Sequence, residues 1–233
     1  VVAVTLNKKF SFIDRSILTL LVGPIRVDLG ISDTQVSLLH GLAFAIFYTL
    51  LGIPIASLAD RRNRRNIIAV GVAFWSIATA ACGLTRNFWQ LFLARIGVGV
   101  GEAALSPAAY SMIADSFPPE KLGRALSVYT LGAIAGIGFA LIIGGAVIGT
   151  VMTATDATLP LVGTVRPWQV VFFIVGLPGL LVALWILTLR EPERRRLPVA
   201  GGGSGLKPLL RYMRVHWQSY AAHLAGFGGT PKL

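Results

Sequence analysis

The chain of 233 residues is 55% hydrophobic and only 13% charged, with a formal net charge of +11 and a mean hydropathy of +0.72. Soluble domains carry roughly 25% charged residues, so about half of the usual solvating surface is missing and a soluble globular domain is excluded. The positive charge does not point to nucleic acid, because the basic residues lack interleaved aromatics and a soluble platform to present them.

Six apolar blocks reach the roughly 20 helical residues needed to cross a hydrocarbon layer about 30 Å thick. They lie near 10–28, 35–59, 67–85, 88–113, 124–149 and 168–189, and a seventh begins near Trp217. None alternates with period two, so a barrel of strands is a poor fit. In lipid every backbone group must be paired within its own segment, which makes each block a helix. The expected fold is all-α and polytopic. A six-helix bundle over 1–189 is followed by a basic, Gly/Ser-rich linker over 190–216 and the truncated start of a second unit at 217–233. The absence of an initiator Met and the abrupt end at GGTPKL lead us to expect a fragment.

The first block, FSFIDRSILTLLVG (10–23), sets Asp14 beside Arg15. Each charge costs about 2.5–3.5 kcal/mol at the centre of a membrane helix on insertion scales. As neighbours they stand about 100° apart and cannot point the same way. Lys8 and Lys9 precede them and must snorkel to the surface, so the helix is expected to start near Phe10 or to be atypical at this end. The block lacks a small-residue cleavage site and further spans follow, so it is not read as a signal peptide.

The second block carries His40, Phe44, Phe47 and Tyr48. A lone His of this kind is more often a hydrogen-bonded packing residue than a proton relay. The aromatics either line an amphiphile's path or face lipid. The block runs into ASLADRRNRRNII (56–68), where Asp60 stands at the membrane edge among four arginines. The arginines are expected to hold Asp60 or to reach lipid phosphates. In the third block the lone Cys82 rules out an internal disulfide and any Cys-based metal site.

The fourth block, LFLARIGVGVGEAALSPAAY (91–110), holds Arg95 and Glu102. Seven residues apart, they lie within about 20° of one face and about 10.5 Å apart along the axis. Gly99, between them on that face, is expected to leave a notch suited to an anionic or zwitterionic group. The glycines do not make a dinucleotide fingerprint: counted from Gly97, the pattern needs Gly where Glu102 stands, and a strand before it. In the fifth block Gly132, Gly136, Gly138, Gly144 and Gly145 fall at small-xxx-small spacings and read as close-packing sites.

Basic residues are unevenly shared between the loops. Arg61, Arg62, Arg64, Arg65, Lys121, Arg124 and seven more from Arg190 to Arg214 fall on one side, against Arg26, Arg86 and Arg166 on the other. This positive-inside asymmetry places the N-terminus in the cytoplasm. The tract PVAGGGSGLKP (198–208) has the composition of a flexible tether.

The loop LADRRNRR resembles the signature G-x-L-a-D-r-x-G-r-k of the major facilitator superfamily, with Leu58, Ala59, Asp60, Arg61, Arg64 and Arg65 in order, and Ala56 and Asn63 at the glycine positions. In the fourth block Leu91, Arg95, Gly99 and Gly101 are similar to the family's l-x-x-x-R-x-x-q-G-x-g pattern, with Val98 at the Gln position. The fifth block lacks the Pro that antiporters often carry. FIDR, GLAFAIFYTLLGIPIASLADR and RIGVGVGEAALSPAAYS together look most like Spinster-type transporters. The resemblance implies the six-helix N-terminal half of the major facilitator fold, an integral membrane protein that needs a C-terminal half of the same transporter. It further implies alternating access with proton coupling. Asp14, Arg15 and Glu102, with Arg95 beside them, would meet protons and a small-molecule or lysolipid-like substrate, and Asp60, Arg61, Arg64 and Arg65 would form a cytoplasmic latch. His40, Phe44 and Tyr48 are candidates for the cavity lining. No catalytic residue, cofactor or metal is expected; membrane lipids are expected partners. Two other readings stand beside this one, a non-transporting membrane scaffold and an intramembrane enzyme using Asp14, Glu102 and His40 as acid–base groups.

Overall fold

In the computed structural model of the chain the backbone is described at residues 2–151, 157–159, 163–194, 214 and 217, and the side chains of 1–15, 133 and 139 lie outside the description. Two compact units result, Val1–Arg194 and Arg195–Leu233. In the second, only Arg214 and Trp217 are described, both in helical backbone.

The first unit is a helical bundle. Helix α1 (Val2–Leu29) is closed by Gly30, whose φ of +60° suits a residue without Cβ. Helix α2 (Asp33–Ser37) starts from a capping box made by Ser32 and Gln35 and continues through a π turn, Leu38–Leu42, into α3 (Ala43–Ala59). Asn63 caps α4 (Arg64–Cys82) and Asn87 caps α5 (Phe88–Ala103). Helix α6 (Leu105–Ser116) follows after a break at Ala104. Pro107 explains the break: it has no N–H to offer the carbonyl four residues back. Helices α7 (Pro119–Val151) and α8 (Pro167–Leu187) complete the unit. Between them strands β1 (Ala157–Leu159) and β2 (Gly163–Val165) pair antiparallel, with Ala157 opposite Val165, a small addition to the all-α expectation.

Six membrane-length helical passes therefore match the six expected blocks: α1, α2 through α3, α4, α5 with α6, α7, and α8. Among the described residues, five are long and apolar enough to span. The remaining one, α1, is 28 residues long but carries Lys8, Lys9, Asp14, Arg15, Arg26 and Asp28. Its backbone is helical from Val2, two turns before the start near Phe10 that was one of the two expectations for this end, because nothing in VAVTLNKK breaks a helix.

The most extensive pairings are α4 with α8 and α1 with α7, then α4 with α5, α3 with α5, and α1 with α8. Helix α5 thus lies between α3 and α4. Its buried residues include Leu91, Arg95, Val98, Gly99 and Glu102, a stripe at helical spacing. Glycines set how closely it packs. A Cβ on Gly101 would stand 2.6 Å from both Cβ and N of Trp75, and one on Gly71 would stand 2.6 Å from Cβ of Ala104. The fifth-block expectation is corrected in part. Gly144 packs near Leu20 and Ile17 of α1, but a Cβ on Gly138 or Gly145 would meet nothing within 4 Å. The outward surface of the bundle is apolar: Leu131, Ile142, Leu181 and Leu184 are all more than half exposed, which suits side chains bathed in lipid rather than water.

Candidate functional site

Helix α5 buries a permanent cation at its middle and an acid at its C-terminal end. Arg95 and Glu102 are each 2% exposed. The guanidinium cannot deprotonate, yet its Nε and Nη1 are buried without a hydrogen-bond partner among the described residues. Such donors cost heavily in a dry interior unless an anion reaches them. His40 belongs to a neighbouring segment that packs against α5. It is half-buried and sits in the π turn Leu38–Leu42, a local widening of the helix that often accompanies functional positions. The expected notch at Gly99 is filled. A Cβ there would meet the Phe44 carbonyl oxygen at 2.9 Å, so the missing side chain lets α3 and α5 approach rather than opening room for a ligand.

Below this level lies an aromatic group. Phe44 and Tyr48 stack with ring centroids 5.3 Å apart. The Tyr48 hydroxyl is 3.3 Å from Oγ of Ser106, and Tyr110 meets Tyr129 edge to face at 5.2 Å. Tyr129 is 1% exposed. Of these, Ser106, Tyr110 and Tyr129 were missed by sequence reasoning, since each looks like an ordinary apolar-helix residue. The side chains of Asp14 and Arg15 lie outside the described residues, as do those of Lys8 and Lys9.

The arginine-rich turn between α3 and α4 holds a second cluster. Helix α4 buries the face that carries Arg64, Ile68, Gly71, Val72 and Trp75, so its first residue points inward at 1% exposure. Arg64 Nε donates to Glu191 at 2.9 Å, Nη1 to Ser111 Oγ at 3.0 Å and to Asp115, and Nη2 to the Pro192 carbonyl at 3.0 Å. Glu191 also accepts from the backbone N–H groups of Arg64 at 3.2 Å and Arg65 at 2.8 Å. Its carboxylate therefore closes the N-terminus of α4, where orphan N–H groups and the helix dipole both favour an anion. Burial alone would raise the Glu191 pKa, but the hydrogen bonds from Arg64 and from the Arg65 and Arg64 backbone outweigh it and hold the group below the usual carboxylate range. Arg65 donates to the Leu189 carbonyl at 3.1 Å, and Arg194 to the carbonyls of Ala59, at 2.8 Å, and Arg62.

The latch residues are thus divided. Arg64 and Arg65 bind within the unit, whereas Asp60 is exposed at the end of α3 and Arg61 is exposed beside it. The acids that hold Arg64 are Asp115 and Glu191 rather than Asp60, because Arg64 opens the inward face of the next helix. At the opposite end, Asp28 pairs with Arg166 and accepts from Nε1 of Trp168 at 2.8 Å, while Arg26 pairs with Asp33 at 2.6 Å.

The sequence model of the Major Facilitator Superfamily matches residues 9–230. An MFS-type efflux pump of Mycolicibacterium smegmatis is 30% identical over 190 residues, which cover 82% of this chain and 41% of that protein. Protein spinster homolog 1 of Xenopus tropicalis is 33% identical over 80% of this chain and 33% of its own length. The crystal structure of a bacterial homologue of the human lysosomal transporter Spinster, inward-facing and occupied, superposes with a TM-score of 0.76 at 41% identity, covering 83% of this chain and 44% of that one. The chain spans less than half the length of each of these relatives. It belongs to the major facilitator superfamily and corresponds to the N-terminal half of its Spinster-like members.

Proposed function

We propose that the chain is the N-terminal half of a proton-coupled secondary transporter for a small amphiphilic, lysolipid-like solute, and that Asp14, Arg15, Arg95 and Glu102 form the place where proton and solute compete. The observation that carries this reading is the buried Arg95, with two guanidinium N–H groups unpartnered among the described residues. A fixed cation in lipid demands an anion. In our reading, the carboxylate of Asp14 supplies it in one state and the solute's acidic head in another. When the solute displaces the carboxylate, the acid loses its cation, its pKa rises, and it takes up a proton. His40, Phe44 and Tyr48, joined by Tyr110 and Tyr129, line the apolar side of the path.

The arginine-rich end is read as cytoplasmic, with the N-terminus on that side. Arg61, Arg62, Arg64 and Arg65 in the α3–α4 turn, and Arg190 and Arg194 after α8, gather at one end of the bundle. Arg26, Arg86 and Arg166 belong to the other, the distribution expected of positive-inside topology. Residues 190–216 are the linker to a C-terminal half, which begins at 217 and supplies the second wall of a midplane cavity. The test is uptake by the full-length protein in liposomes with and without an inward proton gradient. Asp14→Asn and Glu102→Gln are expected to abolish gradient-driven uptake while leaving solute binding measurable. Wild-type pH dependence in both variants would refute the proposed role.

A further inference from the structure

A groove of about 650 Å³ runs between α3, α4 and the C-terminal part of α5, away from the Arg95 level. Its walls are Leu58 of α3 and Val70 and Phe74 of α4, all at least 46% exposed. Its floor is Gly71, Gly101 and Ala104, where close packing of α4 on α5 leaves no side chain to fill it. At one end it opens between Arg62, Asn63 and Asn66. The side-chain oxygens of both asparagines are engaged, Asn63 with the Asn66 N–H at 2.9 Å and Asn66 with Arg65 at 3.1 Å. Their amide N–H groups are left available as donors among the lining residues, beside a guanidinium with no side-chain partner among the described residues. No acid lines the groove.

From Asn63 to Phe74 the wall rises about 16 Å at 1.5 Å per residue, which is one leaflet's share of a hydrocarbon layer about 30 Å thick. A cationic, donor-rich mouth at the membrane edge above an apolar trough one leaflet deep complements a single kind of molecule. We infer that this groove is a binding site for an anionic phospholipid, its phosphate held by Arg62 and the amides of Asn63 and Asn66 and one acyl chain lying along Val70 and Phe74 over the glycine floor. Glu102 is not among the residues that line the groove, so the lipid test does not depend on the outcome of the transport variants.

The full-length protein, delipidated in detergent, is incubated with dioleoyl phosphatidylglycerol or dioleoyl phosphatidylcholine, and retained lipid is counted by native mass spectrometry. Phosphatidylglycerol should be retained about fivefold more than phosphatidylcholine, the preference expected of one arginine at an anionic headgroup. Arg62→Gln should erase that preference. Val70→Trp, which fills the trough from an exposed position, should lower retention of both lipids without changing the melting temperature. Equal retention of the two lipids by the wild type overturns the inference, as does undiminished retention in Val70→Trp. Lipid retained by the present chain but absent from the full-length protein would show that the second half covers the groove, and equally overturns it.

Discussion

Replacing Glu191 by Gln tests whether the α4 entrance is held by charge. The substitution keeps shape and one acceptor oxygen but removes the negative charge and turns an amide toward the Arg65 N–H, now 2.8 Å from Oε2. Three hydrogen bonds converge on this carboxylate, and bonds to charged groups contribute about 1.5–3 kcal/mol each. Glu191 retains 21% side-chain exposure while Arg64 has 1%. Water therefore screens the acid in part, and Asp115 still compensates the arginine. We expect a net loss of about 2–3 kcal/mol, less than the roughly 3–5 kcal/mol that breaking a fully buried pair costs. For a chain of this size that lowers Tm by roughly 4–12 °C.

The assay is built into the sequence. Cys82 is the single cysteine and is fully buried, so a thiol-reactive fluorogenic maleimide reports unfolding in detergent directly. The Glu191 pKa is depressed in the folded chain. Its contribution is thus complete above the unfolded carboxylate value of about 4.3, and is lost as pH falls through the lower folded value. The Tm gap between wild type and Glu191→Gln should be full at pH 7 and narrow progressively as the pH falls below about 4.3. In an Arg64→Met background the same substitution should cost half as much or less, because the guanidinium bond is already gone. A variant that melts within about 1 °C of wild type at pH 7, or one whose cost is unchanged by Arg64→Met, would refute the reasoning.

Gly101→Ala should destabilise by about 1–3 kcal/mol, since its methyl overpacks the α4–α5 contact; Gly138→Ala, with nothing within 4 Å, should melt no lower than wild type, and the pair is compared by the same maleimide melt. Asp28→Ala leaves the Trp168 indole N–H, in a side chain 2% exposed, without its acceptor and should cost about 1–3 kcal/mol; Trp168→Phe in that background should add little, and a cycle of the four melting curves measures the coupling.

The passes themselves were legible because lipid enforces them: a segment of this length and hydropathy has no alternative to a helix. The caps at Ser32, Asn63 and Asn87, which fix where α2, α4 and α5 begin, were not read beforehand. Close packing was legible in type but not in place. Gly99 and Gly138 look alike in sequence, yet one lies against the Phe44 backbone and the other against open space, and only the rotation of each helix decides which. The partners of Arg64 were hidden for a related reason. Asp115 and Glu191 stand 51 and 127 residues away, and no local period connects them to the arginine loop. A partial signal existed, in that both acids lie at span ends on the arginine-rich side, as Asp60 does. Proximity in sequence favoured Asp60, and the inward turn of α4 decided otherwise.

The two arginines buried among the described residues meet the same electrostatic problem in opposite ways, and on the function proposed above the difference divides their roles. Arg64 stands at a helix start near the membrane edge, where two acids, a hydroxyl and a backbone carbonyl are fixed around it. Its donors are satisfied within the unit, so moving it would break several bonds at once; it is suited to rigidity. Arg95 is equally buried but leaves Nε and Nη1 unpartnered among the described residues. A cation held this way gains most from an anion that arrives, and loses it at comparable cost when the anion leaves. Solute exchange requires that reversibility, whereas a latch between helices requires its absence. For this reason Arg64→Lys and Arg95→Lys should separate cleanly. The first loses the fork geometry that reaches Glu191 and Asp115 together and should appear as a drop in Tm, and the second should leave Tm nearly unchanged and weaken solute binding by the full-length protein. Equal Tm losses in the two would mean that Arg95, too, is a fixed structural bridge.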